Sequence, residues 1–139
     1  MIFRFVMARG GMMGGSGFVA VGVGAALGAW LRWWLGVLLN TALPSLPLGT
    51  LAANLIGGFL VGIAVEYFGQ QGGISQEMRL FVITGFLGGL TTFSSFSAEA
   101  VGLLMRAQYV WATALICSHL IGSILMTVLG IVTVRALAA

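Results

Sequence analysis

The densest chemistry in the chain lies between Thr84 and Glu99, TGFLGGLTTFSSFSAE. Three glycines, Gly85, Gly88 and Gly89, precede hydroxyls at Thr91, Thr92, Ser94, Ser95 and Ser97, with Phe93 and Phe96 set among them. Glycine is a poor helix former and hydroxyl side chains compete for backbone hydrogen bonds, so a helix through this stretch is expected to break. A break leaves carbonyls at the end of one half-helix and N–H groups at the start of the next, the first suited to a cation and the second to an anion. The plainer alternative is a continuous helix whose hydroxyls bond back to their own backbone. Segregation of the glycines from the hydroxyls favours the break. Phe93 and Phe96, at i and i+3, share a face of a regular second half-helix. Sequence alone reads them as core residues, although the electropositive edge of a phenyl ring can meet an anion without trapping it.

Other polar residues stand in otherwise apolar sequence. Asn54 offers an amide donor, or an interhelical hydrogen bond. His119, Ser123 and Thr127 recur at i, i+4 and i+8, which places them on one helix face turned to a cavity or to another helix rather than to lipid. No second ligand is spaced with His119, so no metal site is implied there. Arg32 is set in an apolar run, where it must reach water or a partner. Glu99 closes the hydroxyl cluster, and its role is open at this stage.

The elements that must position these residues follow from composition. Of 139 residues, 60% are hydrophobic and 6% charged, too few charges to cover a soluble domain of this size, in which about 25% is usual. The chain reads as an all-α integral membrane protein. Four apolar runs are long enough to span a bilayer: about Phe18 to Leu39, Leu48 to Phe68, Met78 to Leu104 and Tyr109 to Val134. Ser75, Gln76 and Glu77 are helix-starting residues before the third. Residues 1–17 read as a flexible leader, since the apolar stretch between Arg4 and Arg9 is too short for a signal sequence. Residues 18–139 then form one transmembrane domain with no room for another. The basic residues are six scattered arginines, which argues against nucleic-acid binding, and the lone Cys117 excludes an intrachain disulfide.

With the leader set aside, Arg79 and Arg135 on one side face Arg106 and Arg32 on the other, so the positive-inside rule has little to act on and insertion in both orientations is open, whereas Arg4 and Arg9 would tip the balance if translated. Gly24 and Gly28, Gly58 and Gly62, and Gly85 and Gly89 form three GxxxG pairs. Each permits close packing within one chain; three together favour association into a dimer, antiparallel if both orientations insert.

The segment GFLGGLTTFSSFSAE resembles the signature of the Fluc/CrcB fluoride channel family, GxxGGxTTFSTF. GAWLRW, Gly28 to Trp33, is similar to the family's GAxxRY, and GTLAANLIGGFLVG, Gly49 to Gly62, to its GTLxVNxxGxFxxG. Trp33 stands in place of the usual tyrosine and Ser95 in place of threonine. The resemblance implies four transmembrane helices per chain with a break in the third, assembled as a dual-topology antiparallel homodimer in the inner membrane of a bacterium. It implies a passive, fluoride-selective pore lined by Asn54, Phe93, Phe96, Ser94, Ser95, His119, Ser123 and Thr127, with Arg32 near a wet vestibule. It also implies a structural sodium ion held between the chains by backbone carbonyls of Gly88 and Thr91. The competing class is a small multidrug antiporter, which carries a membrane-embedded carboxylate in its first span; here that span holds Arg32 and no acid. Enzyme chemistry has no support, since paired carboxylates, a Cys/His arrangement and a phosphate loop are all missing.

Overall fold

A computed structural model describes residues 14–43 and 46–138. The first thirteen residues of the expected leader, and Pro44 and Ser45 of the first loop, lie outside the described residues. Four helical spans result, as the apolar runs require. The first, α1, is Gly15–Leu39, and begins three residues before the predicted start at Phe18; the second, α2, is Leu48–Gln70. The third span is two helices. The first of these, α3, takes in Gln76–Arg79, a π-wound stretch Leu80–Leu87 and a last turn Gly88–Leu90; the second, α4, is Phe93–Met105. The fourth span, α5, is Tyr109–Ala138.

Local chemistry sets the ends. Ser75 caps α3, its hydroxyl accepting from the Met78 N–H at 3.2 Å, with Glu77 in the first turn where a negative charge is favoured. Asn40 closes α1 and its Oδ1 accepts the Gly49 N–H at 2.8 Å, tying the end of α1 to the start of α2. The Arg79 guanidinium donates to the carbonyls of Phe68 and Gln71 at 2.9 and 3.1 Å, placing a cation on the C-terminal end of α2. Glu66 and Arg135 pair at 2.9 and 3.1 Å and join the far ends of α2 and α5.

Two glycine seams hold the spans together. A Cβ on Gly24 or Gly28 would strike the backbone of α3 at Phe81 and Phe86, and one on Gly89 would strike the Ala25 carbonyl. The same holds between α2 and α5, where Gly62 lies on the Thr127 carbonyl and Gly130 on that of Phe59. All six residues of the three GxxxG pairs are consumed in these contacts within one chain: Gly58 sits against Ser123, Gly85 against Val21. The inference from these pairs to a dimer is corrected by that packing, and a dimer would need other surfaces. Leu90 and Leu115 are the largest wholly buried side chains, one in each of two small apolar clusters. Val19, Val23, Leu27, Val110, Leu125 and Leu129 face outward, the pattern expected where the solvent is lipid.

Candidate functional site

The break falls between Leu90 and Phe93. Thr91 and Thr92 are extended, with φ and ψ of −79° and 151° and of −149° and 116°. In a continuous helix the Thr92 N–H would reach back to the Gly88 carbonyl. Here it donates instead to Asn54 Oδ1 at 2.7 Å, and Asn54 Nδ2 donates to the Thr92 carbonyl at 3.1 Å. One side chain on α2 thus satisfies both backbone groups of the residue at the gap, which is what lets irregular backbone persist within a span.

Each half-helix is finished by a threonine. Thr91 Oγ1 donates to the Leu87 carbonyl at 2.8 Å, ending α3. Thr92 Oγ1 accepts the Ser95 N–H at 3.1 Å and caps α4. The same hydroxyl lies 3.2 Å from Ser94 Oγ and 3.1 Å from Ser95 Oγ. Ser95 is therefore part of the cap, while Ser94 is exposed beside it. Sequence reasoning did not single out Thr92, yet a threonine directly before a helical FSSF is itself an N-cap signal.

A cavity of about 600 Å³ opens beside the break, between α2, α3, α4 and α5. It gathers Asn54, Gly88, Thr91, Phe93, Phe96, His119 and Ser123 from the sequence-derived set. Phe93 is 79% exposed and meets Phe96 edge-on, ring centroids 5.5 Å apart. Phe96 in turn stacks on the His119 imidazole at 4.7 Å. His119 is buried, and its Nδ1 lies 3.0 Å from Asn54 Nδ2. Thr127 is not in the cavity wall; its hydroxyl donates to the Ser123 carbonyl at 2.9 Å, one turn back along α5.

Arg32 is also outside the cavity wall. Its Nε donates to the Gly89 carbonyl at 3.1 Å, so the guanidinium sits on the C-terminal end of α3, where the helix dipole favours a cation. Glu99 acquires a partner the sequence did not suggest. Thr50 Oγ1 donates to its Oε1 at 2.6 Å, while Oε2 is buried without a hydrogen-bond partner among the described residues.

Four spans, the third split at an amide-bridged gap beside a largely apolar cavity that carries a few polar groups, define a small polytopic membrane protein. A family model described as CrcB-like protein, Camphor Resistance (CrcB), matches residues 19–131, and the chain belongs to that family. It is 63% identical over 126 residues to a protein of Nitrosospira multiformis named fluoride-specific ion channel FluC, covering 91% of this chain and 98% of that relative. Proteins of the same name from Ralstonia pickettii and Cupriavidus pinatubonensis are each 58% identical, over 123 and 126 residues, covering 88% and 91% of this chain and 98% and 100% of the relatives.

Proposed function

We propose that the chain is a fluoride-selective channel, not an enzyme, passing fluoride down its electrochemical gradient across the inner membrane of a bacterium. The observation that carries the reading is the broken third span, latched by Asn54 and opening on a cavity that holds Phe93, Phe96, His119 and Ser123 together. Fluoride holds its water tightly, so its path must offer substitute donors yet bind weakly enough to release the ion. Phenyl edges and neutral N–H and O–H groups meet both demands, whereas a fixed positive charge at the same depth would hold the ion. Fluoride that enters as hydrogen fluoride dissociates in a less acidic cytoplasm, and such a pore lets it leave. The names of the relatives accord with this reading.

The assembly in this reading is a dual-topology antiparallel homodimer. The balance of arginines outside the leader, Arg79 and Arg135 against Arg32 and Arg106, supports insertion in either orientation. Phe93, a cavity-lining ring left largely exposed, offers a face for a second copy to cover. A structural sodium ion belongs to the same proposal, and the residues fit it. The Gly88 carbonyl is released from helix bonding because Asn54 takes the Thr92 N–H, Gly88 and Thr91 both border the cavity, and even a Cβ added at Gly88 would come no closer than 3.8 Å to the Ile83 carbonyl. Hard oxygen donors of this kind suit an alkali cation, whose charge would join the carbonyl ends of two half-helices.

Purified protein in liposomes should release fluoride rapidly, read by a fluoride electrode, with little chloride release in parallel. Phe93→Ile and Asn54→Ala should each abolish it. Silence from well-folded protein would sink the channel reading and turn attention to drug–proton exchange. Replacing sodium with a bulky organic cation during purification should lower the fraction of dimer on size-exclusion chromatography; a dimer indifferent to sodium would remove the ion from the proposal.

A further inference from the structure

We infer that Asn54 is a positioning residue that acts through His119, fixing the imidazole in the tautomer whose proton sits on Nε2. The inference rests on the fluoride-path reading of this cavity. The orientation of the Asn54 amide is dictated by two backbone groups that have one role each. The Thr92 N–H can only donate, so the atom 2.7 Å from it is Oδ1; the Thr92 carbonyl can only accept, so the atom 3.1 Å from it is Nδ2. The second hydrogen on Nδ2 is directed at His119 Nδ1, 3.0 Å away. Nδ1 is then the accepting, unprotonated nitrogen, and the neutral ring carries its hydrogen on Nε2.

That hydrogen has no partner among the described residues. Nε2 is buried and unsatisfied among the described residues, in a side chain 4% exposed that borders the cavity and is covered by the stacked Phe96 ring. Buried polar atoms in native folds are nearly always satisfied, so an unpaired donor on a residue that borders the cavity calls for an acceptor that the described residues do not supply, a water or an anion. The Asn54 oxygen and both its amide hydrogens are engaged within the chain, so Asn54 has no amide hydrogen to spare for the ion. It serves the ion by turning the ring: the opposite tautomer would present a lone pair at Nε2 and repel an anion. Asn54 therefore ties two functions to one amide, holding the gap at Thr92 and presenting a neutral donor on the facing helix.

His119 is the chain's single histidine, so nitrogen-15 histidine labelling of the full-length protein in lipid gives an unambiguous signal. The expected spectrum has Nε2 protonated and Nδ1 bare. Asn54→Asp places an accepting oxygen where Nδ2 stood and should draw the proton to Nδ1, with fluoride flux falling about tenfold or more, as for loss of one hydrogen bond to a charged partner. His119→Gln, whose amide offers an acceptor toward Asn54 and a donor beyond it, should recover much of the flux that His119→Leu loses. A proton on Nδ1 in the parent protein overturns the inference, as does an Nε2–H signal unchanged in both Asn54→Asp and Asn54→Ala. Should those variants not fold, the parent spectrum alone still decides. The spectrum needs no transport, so Nε2–H without fluoride flux would sink the channel reading and leave the positioning role standing, while flux with the opposite tautomer would sink the positioning role alone.

Discussion

The two halves of the third span are built on opposite principles. The first half, α3, touches α1 backbone to backbone through Gly24, Gly28, Gly85 and Gly89, with no side chain between the helices at those points. The second half, α4, begins from a cap and a hydroxyl network centred on Thr92, and its first residues, Phe93 and Ser94, are exposed. Close-packed backbone cannot yield without separating the helices, whereas a capped helix start is held by a few hydrogen bonds. The first half is thus a frame and the second a mounting for the rings that line the cavity. The difference teaches where this small protein places rigidity and where it places chemistry, with Asn54 the bond between the two.

The comparison can be broken most sharply at Gly28. A Cβ there meets the Phe86 carbonyl and lies 2.7 Å from the Leu90 N–H, both parts of the α3 backbone that cannot swing aside. Gly28→Ala should therefore cost about 3 kcal/mol, at the upper end for overpacking, and be seen as loss of folded protein on chromatography and in denaturant titration. A well-folded Gly28→Ala would show that the α1–α3 seam is not a rigid frame. Thr92→Val probes the other half. It keeps the Thr92 N–H for Asn54 but removes the hydroxyl that caps α4, for an expected loss of about 1 kcal/mol, with the fold retained. Fluoride flux should suffer more than stability, because the fraying turn carries Phe93 and Phe96. If Thr92→Val unfolds as readily as Gly28→Ala, the two halves do not differ as described.

Much of this division was legible in the residues themselves. Spans came from run length and the break from glycines followed by hydroxyls, because both are local propensities. The gathering of Phe93, Phe96, His119 and Ser123 followed from helical spacing together with the family resemblance. What sequence could not give was the partner of each polar group. Asn54 offered either a donor or an interhelical bond, and choosing between them needs the Thr92 backbone, 38 positions away. The pairing of Thr50 with Glu99 is equally non-local. The partner of Arg32, the Gly89 carbonyl, was likewise out of reach of the sequence, since where a long side chain ends is set by the neighbouring helix. The GxxxG pairs misled for the same reason: spacing says that backbone can approach, not whose backbone it is. The π-wound stretch Leu80–Leu87 had no sequence signal that was read.

The smallest expected effect is the sharpest control on the frame. Gly22 and Gly24 stand two residues apart in α1, but Gly24 is buried against Phe81 and Gly85 while an added Cβ on Gly22 meets nothing within 4 Å. Gly22→Ala should leave folding, dimer content and fluoride flux unchanged, where Gly24→Ala damages all three. Helix propensity even leans toward alanine at an exposed helical position. The outcome separates two accounts of the outward face of α1. If Gly22→Ala is silent, that face meets lipid, which accommodates a methyl group without strain. If instead it lowers the content of the proposed dimer while the chain still folds, the methyl group is striking protein, and a second copy would lie against α1 as well as over the cavity.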